Sequence, residues 1–338
     1  MLGFFDKFLT LWIFLSIFIG LALGIIFPNI SNFWSIFEYQ SINMLLMLCL
    51  ITMMYPPLAK IRYQQIFKIF KNKKSLLLAL ILNWIIGPIL MFALAIIFLH
   101  DKIEFMQGII LIGLARCVAM VAVWSDLAKG DREYTGALIA LNSIFQILFF
   151  SSLAFIFLQL LPNYFGFTFD IKTSNISMQE IGKNVLIYLG IPFIMAIFSR
   201  IIFINTKGKQ WYQEKFLPKI SPITPITLIF TIIIMCSYHS NQIFEMSLNT
   251  LRIALPLIFY FILMFFISWY LCNKNKLSYP QACSICFSAS GNNFELAIAI
   301  SIGYYGIASP QAFATIIGPL IEVPVLILLV KWILKRYK

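Results

Sequence analysis

Arg116, Glu295 and Glu322 are charged side chains that stand well inside long apolar stretches of this 338-residue chain. In a helix that crosses a bilayer, a central charge costs about 2.5 to 3.5 kcal/mol on insertion scales, so each should face a partner or water. An ion pair between Arg116 and a glutamate would satisfy two of them without any further function. That structural interpretation stays open for Arg116, beside a supporting role in a binding site.

Glu295 follows two amides, Asn292 and Asn293, in the run Ser288–Glu295 (SASGNNFE). This polar cluster is too large for one salt bridge, so we predict that it faces a cavity for a polar solute. In such a cavity a carboxylate can take up and release a proton, which makes Glu295 the candidate coupling group. The amide of Asn142, in another apolar stretch, is a candidate supporting group.

Glu322 lies in Gly318–Pro324 (GPLIEVP), between two prolines. Prolines remove backbone donors from a helix and leave carbonyls free, which explains a kink without any further function. A kink does not explain the carboxylate. Glu322 is therefore either a packing partner or a second proton-coupling group.

Cys117 is adjacent to Arg116 in a run of small residues, and a lone buried cysteine is usually a small packing residue. If the helix is broken here, however, the thiol lies at the start of a half-helix, where the helix dipole favours a thiolate. Both interpretations stay open for Cys117. The other five cysteines are interpreted as packing residues, with no disulfide expected: Cys49, Cys236, Cys272, Cys283 and Cys286.

The stretches that hold these residues are predicted to cross a membrane. The chain is 61% hydrophobic and 11% charged, with a mean hydropathy of +0.91, which is far more apolar than a soluble domain. Windows of about 20 residues, the length that crosses a hydrocarbon layer, divide it into ten apolar segments. They begin near Phe8, Ser41, Ser75, Phe105, Tyr134, Ile181, Ser221, Asn249, Pro280 and Ser309. We therefore predict an all-α polytopic membrane protein with ten transmembrane helices.

The basic residues fix the predicted orientation. Most of the 25 Lys and Arg residues fall in segments on the same side as the N-terminus, including Lys7, Lys68 and Lys71. Lys102, Lys172, Lys183 and Arg252 are assigned to the other side. The positive-inside rule then places both termini in the cytoplasm, with the chain in the plasma membrane and its first span retained. The net charge of +12 is thereby a topology signal, and nucleic acid is not an expected partner.

Five spans on each side of the longest outside loop predict two repeats, residues 1–161 and 162–338, in one transport domain. Because five is odd, the second repeat runs opposite to the first, as in many secondary transporters. Spans 4 and 9 carry the small and polar runs around Cys117 and Glu295, at corresponding places in the two repeats. We predict that both are discontinuous and cross at the binding site.

The sequence contains no phosphate-binding Gly-Lys-Ser/Thr loop and no Ser/His/Asp arrangement. An enzyme or a primary pump is therefore not predicted, and no cofactor is expected.

Four runs resemble one known family of membrane proteins. They are Gly113–Asp131 (GLARCVAMVAVWSDLAKGD), Ser290–Ile300 (SGNNFELAIAI), Gln311–Leu328 (QAFATIIGPLIEVPVLIL) and Met54–Arg62 (MYPPLAKIR). They are similar to the arsenical-resistance-3 family of arsenite efflux permeases, in the bile/arsenite/riboflavin transporter superfamily. The resemblance covers essentially the whole chain. Ser125 and Gly291 depart from it, where asparagine and serine are expected.

The resemblance implies an arsenite/proton antiporter driven by the proton gradient, with Cys117 and Glu295 matching the family's key cysteine and glutamate. Cys117 would then bind trivalent arsenic transiently, because a thiolate is a soft ligand that suits it. Asn292, Asn293 and Glu295 would line the substrate site, and Glu295 with Glu322 would couple protons. Whether antimonite is carried, and in what oligomeric state, stays open.

Two alternatives remain. A sodium-coupled carrier of organic anions could use the same asparagines and Glu295 as oxygen ligands, but it would not need Cys117. A membrane sensor or scaffold without flux would have little use for Glu295, Glu322 and Arg116 inside its spans.

Overall fold

The computed structural model describes residues 9–39, 42–61, 72–118, 120–166, 177–238, 247–307 and 309–337, and these are helical almost throughout. The first helices are α1 (Leu9–Ile26), α2 (Ile30–Ser35), α3 (Met44–Lys60), α4 (Lys73–Leu99), α5 (Ile103–Leu114) and α6 (Val121–Leu127). They are followed by α7 (Arg132–Tyr164), α8 (Met178–Lys207), α9 (Lys209–Tyr238), α10 (Ser247–Lys274), α11 (Tyr279–Ser290), α12 (Phe294–Tyr305) and α13 (Pro310–Tyr337). The predicted loop cations Lys7, Lys68, Lys71 and Lys172 lie outside the described residues.

Six of the described helices are long and apolar enough to cross a membrane: α4, α7, α8, α9, α10 and α13. Four shorter apolar helices accompany them, α1, α3, α5 and α12. Large apolar side chains such as Leu11, Ile97 and Phe198 lie on the exterior, while polar ones such as Gln107 and Asn142 are buried. An apolar exterior beside a set of buried polar side chains is typical of a polytopic membrane protein.

The connection between α2 and α3 contains the two named strands of the described residues. Two short strands, β1 (Glu38–Tyr39) and β2 (Ile42–Asn43), pair antiparallel, with Glu38 opposite Asn43. Asn43 ends this turn and begins α3, because its side chain accepts a hydrogen bond from the backbone N–H of Leu46. The strands are therefore a local connection that leaves the helical architecture unchanged.

Prolines widen four of the long helices in the same way. A π-helical turn ends at Ile86, Leu160, Gly190 and Phe216, in each case two residues before a proline. A proline ring collides with the carbonyl four residues earlier and has no N–H to donate, so the preceding turn opens by one residue. Such turns let α4, α7, α8 and α9 continue through their prolines.

The helices pack into two bundles. The smaller bundle contains α1, α3, α8 and α9, where α9 contacts both α1 and α3. In the larger one, α10 contacts α4, α11 and α13, and α13 also contacts α5 and α12. The regions predicted as spans 4 and 9 are each divided into two half-helices, α5 with α6 and α11 with α12. Both divided regions belong to the larger bundle, and their breaks meet inside it.

Candidate functional site

The two helix breaks cross at the centre of the larger bundle. Arg116 and Asn292 form an isolated antiparallel backbone bridge, and the N–H of Asn293 donates to the carbonyl of Ala115 over 2.9 Å. The side chain of Asn292 donates to the carbonyls of Ile112, at 2.6 Å, and Ala115, at 3.2 Å. The carbonyl of Ile112 also accepts from the backbone N–H of Ala115 at 3.1 Å, whereas Ala115 follows the last residue of α5. The asparagine thus stabilises the break by donating to carbonyls at the end of α5.

Asn293 performs a second structural task at the same crossing. Its Oδ1 atom accepts a hydrogen bond from the N–H of Leu296 at 3.0 Å and so caps the start of α12. Within the described part of the chain, Oδ1 of Asn292 and Nδ2 of Asn293 have no hydrogen-bond partner. Each asparagine therefore holds the break with one end of its amide, while the other end is unpaired among the described residues.

A small cavity of ≈ 40 Å³ lies beside this crossing, between the two bundles. The larger bundle contributes its polar side, which includes Cys117, Asn292, Glu295 and Glu322, and the smaller bundle contributes an apolar side. Its remaining lining residues are Ile13, Met120, Thr224, Pro225, Leu228, Phe294, Pro319 and Val323. Four of the residues singled out in the sequence thus lie around one cavity, whereas Asn293, which was predicted to line the substrate site, is not among its lining residues.

Gly291 brings the thiol of Cys117 and the carboxylate of Glu322 close together. A Cβ atom added at Gly291 would lie 3.1 Å from Cβ of Cys117 and 3.1 Å from Oε1 of Glu322. That Oε1 atom has no hydrogen-bond partner among the described residues, although Glu322 is buried. A soft sulfur ligand and an unpaired carboxylate oxygen therefore face the same small space.

The half-helix α6 begins next to Cys117. Its first residue is Val121, four positions after Cys117, and Met120 is its N-cap. On the opposite side of the cavity, Glu295 lies in the first turn of α12. Cys117 and Glu295 therefore both lie near the start of a half-helix.

A larger cavity of ≈ 280 Å³ adjoins the small one and shares Met120, Thr224 and Pro225 with it. Its lining includes charged side chains, among them Lys60 and Glu133. Asp126 and Arg132, which also line it, form an ion pair at 2.8 Å. The large cavity is thus a polar vestibule, and the three shared residues separate it from the small cavity.

Arg116 does not line either cavity, and the suggested ion pair with a glutamate is wrong for the part of the chain that the structure describes. Its Nη1 atom donates to the hydroxyl of Tyr260 at 2.9 Å and to the carbonyl of Ala289 at 3.3 Å. Nε and Nη2 have no partner among the described residues, and the side chain is 0% exposed. The extended break directs the side chain toward α10 and α11, away from both glutamates.

Asn142 also lies away from the small cavity, in a buried polar network. It accepts a hydrogen bond from Trp84 at 3.2 Å and donates to Asn83 at 3.4 Å and to Ser288 at 3.2 Å. This network joins α4, α7 and α11 behind the crossing. Ser288 begins the polar run singled out in the sequence, whereas Asn83 and Trp84 were not predicted, although an asparagine within the apolar run of α4 was a usable signal.

Ser125 belongs to a cluster of hydroxyl groups near the vestibule. Its Oγ lies 2.7 Å from Oγ1 of Thr135 and 3.3 Å from Oγ of Ser284, and Thr135 donates to Ser284 at 2.8 Å. A side chain at Gly130 would collide with Ser125. The cluster ties α6, α7 and α11 together in a space where the larger expected asparagine would need the neighbours to move.

The described residues contain no group of three or more His, Cys, Asp or Glu side chains that could hold a metal ion. All six cysteines are described, and Cys117 is the one that lines the small cavity. A soft solute would therefore meet a single thiol there.

Comparison with known proteins supports a common architecture over the whole chain. Residues 47–246 match the Sodium Bile acid symporter family. The chain is 46% identical over 329 residues to the Arsenical-resistance protein Acr3 of Corynebacterium glutamicum, covering 97% of this chain and 88% of that protein. It is 30% identical over 340 residues to the Acr3 protein of Alkaliphilus metalliredigens, with 98% and 92% covered. An uncharacterized transporter of Synechocystis is 33% identical over 351 residues, with 98% and 88% covered.

Proposed function

The chain belongs to the Acr3 family of arsenical-resistance proteins, within the wider sodium/bile acid symporter family, and from this premise we propose that it exports arsenite from the cytoplasm. It is a polytopic membrane transporter and not an enzyme. One observation carries the proposal at the level of residues. A single thiol, two carboxylates and an asparagine line a small cavity between two bundles, beside two crossing broken helices.

The chemistry of arsenite fits these groups. Arsenite is a neutral trihydroxide at physiological pH, so its hydroxyls can donate to Oε1 of Glu322 and Oδ1 of Asn292, both unpaired among the described residues. The thiol of Cys117 can replace one hydroxyl on arsenic, with water as the leaving group, and hydrolysis reverses the step. One sulfur ligand keeps the complex reversible, which a transport site requires.

Proton coupling is proposed to reside in Glu295 and Glu322. Both line the cavity, and each can be neutral or charged as the solvent around it changes between states. A proton entering from outside would neutralise a carboxylate next to the bound solute and favour its release. The proton would then leave toward the cytoplasm, which makes the carrier an arsenite/proton antiporter.

The proposed topology has ten spans in two inverted repeats, residues 1–161 and 162–338, with both termini in the cytoplasm. It is supported by the bundles, since α1 and α3 of the first repeat pack with α8 and α9 of the second. The vestibule carries Lys60 and Arg132, which the positive-inside rule assigns to the cytoplasmic side of the plasma membrane. The structure is then an inward-facing state, and movement between the bundles would provide alternating access.

Arsenite accumulation in everted membrane vesicles with an imposed pH gradient tests the function. We expect uptake that needs the gradient, that collapses with a protonophore and that proceeds without sodium. Antimonite measured in parallel would establish the solute range. Uptake of an organic anion on addition of sodium, with no arsenite uptake, would instead identify a sodium-coupled anion carrier.

Substitution of Glu295 tests the coupling step. We expect Glu295→Gln to lose gradient-driven arsenite uptake by at least about tenfold, because the amide cannot carry the proton. Glu104→Gln is the matched control, since Glu104 is exposed in the first turn of α5 and lines neither cavity. Equal rates for the two variants would exclude Glu295 as the coupling group.

A further inference from the structure

Two half-helices end next to Arg116, one before it in the chain and one against its guanidinium. The last residue of α5 is Leu114, two positions before Arg116, and α11 ends at Ser290. The Nη1 atom of Arg116 donates to the carbonyl of Ala289, in the last turn of α11. The carboxyl ends of both half-helices therefore converge on one buried cation.

The charges at this point balance without any carboxylate. A helix C-terminus carries about −0.5 elementary charge, so two such ends together offset one guanidinium. No Asp or Glu among the described residues pairs with Arg116. The negative potential of the two helix ends is thus the local feature that favours a positive charge here.

In transporters with broken helices, the carboxyl ends of half-helices and unwound carbonyls hold the coupling cation. Here the corresponding carbonyls already have donors. Arg116 donates to Ala289, and Asn292 donates to Ile112 and Ala115. The position is also closely packed, because a Cβ atom at Gly87 would lie 2.6 Å from Nη1 of Arg116.

We propose that Arg116 is a built-in cation that occupies the place where a coupling sodium ion would otherwise bind. Three residues hold it there. The hydroxyl of Tyr260 accepts a hydrogen bond from the guanidinium, and the side chain of Gln146 accepts one from the backbone N–H of Arg116. Gly87 has no side chain and so leaves room for the guanidinium. Arg116 is a positioning residue, since it does not line the cavity with Cys117. If Arg116 occupies this position, transport should not depend on sodium, and this consequence rests on the proposed function. The occupation of the position by Arg116 does not rest on the proposed function.

Thermal unfolding of the purified chain in detergent tests the proposal without arsenite. Tm is measured in sodium chloride and in choline chloride of equal ionic strength for the intact chain, Arg116→Lys and Arg116→Ala. We expect equal Tm values in the two salts for the intact chain and Arg116→Lys. Arg116→Ala should have a lower Tm in choline, and sodium should raise it in a saturable way because the ion binds the vacated position.

Arg252→Ala is the matched control, because it removes an exposed cation that lies on α10 and pairs with Asp101. It should show no specific sodium effect. A sodium response that is absent in Arg116→Ala, or present in the intact chain, would overturn the proposal. If Arg116→Ala does not fold, Arg116→Gln replaces it. If neither neutral variant folds, an Arg116→Lys variant that folds and has the same Tm in both salts supports the need for a positive charge at this position. An Arg116→Lys variant that does not fold would contradict the proposal.

Discussion

Gly291 sets the space between the groups that we propose to bind arsenite. A Cβ atom there would meet Cys117 and Glu322, both at 3.1 Å, which is tighter than most such contacts. The related sequences are expected to have serine at this position, whose hydroxyl could donate to the unpaired Oε1 of Glu322. The glycine of this chain therefore leaves the carboxylate oxygen available and the cavity slightly wider.

Substitutions at Gly291 should separate these two effects. We expect Gly291→Ser to raise the KM for arsenite by severalfold, about 1 kcal/mol. The serine hydroxyl would donate a hydrogen bond to Oε1 of Glu322, and its side chain would narrow the cavity. The bulkier Gly291→Val should abolish uptake. Gly182→Ser is the control, since a Cβ atom there makes only ordinary contacts with Ser151. Normal uptake by Gly291→Val would show that the solute does not pass this point.

The sequence identifies candidate site residues better than it predicts where their side chains point. Cys117, Asn292, Glu295 and Glu322 stand out as polar groups in apolar runs, and the structure gathers them around one cavity. Arg116 stands out by the same rule but turns away. In a helix the direction of a side chain follows from the backbone, whereas an extended break follows no such rule.

Among the elements, α4 lies close to the crossing at the residue that follows its widened turn. Gly87 follows this turn and precedes Pro88, and its missing side chain leaves room for the guanidinium of Arg116. The corresponding turn of α8 ends at Gly190, where a Cβ atom would meet only the side chain of Leu186, at 3.5 Å. Gly87 and Gly190 thus both lie at or directly after the end of a widened turn before a proline, but only Gly87 contacts Arg116.

Alanine at these two positions should have different effects. Gly87→Ala should lower arsenite uptake by at least about tenfold, because it displaces a buried guanidinium at the crossing. Gly190→Ala should stay within about twofold of the intact chain. Initial rates in everted vesicles, normalised to the amount of folded protein, provide the comparison. Equal rates would mean that the position of Arg116 does not matter for transport.

The turn between α4 and α5 is joined to α10 by an ion pair. Nη1 of Arg252 donates to Oδ2 of Asp101 at 2.9 Å, and this hydrogen bond lowers the pKa of Asp101 below its ordinary value of 3.8. Because the folded pKa is the lower one, the pair stabilises the fold above pH 3.8, and the contribution is lost as the pH falls through the folded pKa.

Asp101→Asn should therefore lower Tm slightly at neutral pH, and the difference should shrink as the pH approaches and passes below 3.8. High salt should shrink it too, because both side chains are partly exposed. Lys102→Gln, at the neighbouring position, is the control for a simple change of charge. A difference in Tm that grows toward acid pH would contradict this assignment.

In the whole molecule, the small cavity lies between the two bundles, and movement between these bundles is the proposed source of alternating access. The polar side of the cavity comes from the larger bundle and its apolar side from α1 and α9. Hydropathy predicts the helical segments well, since each predicted span coincides with a helix or a pair of half-helices. It cannot predict which helices share a bundle, because every apolar face can pack against lipid or protein.

Reporter fusions test the proposed orientation. A green fluorescent protein fused after Lys338 should fluoresce, because the C-terminus is proposed to lie in the cytoplasm. Alkaline phosphatase fused at the same place should be inactive. The same enzyme fused after Lys102, in the turn before α5, should be active because that turn is proposed to face outward. The reverse pattern would invert the topology and make the vestibule open to the outside.

Cys117 is proposed to be the sulfur ligand of arsenite, and the initial rate of gradient-driven arsenite uptake in everted vesicles tests this role. Cys117→Ser is compared with Cys49→Ser, which replaces another buried cysteine that does not line the cavity. We expect the first variant to lose at least about tenfold in rate and the second to stay within about twofold of the intact chain. Normal uptake by a folded Cys117→Ser would contradict the account, because arsenite would then cross without its proposed sulfur ligand.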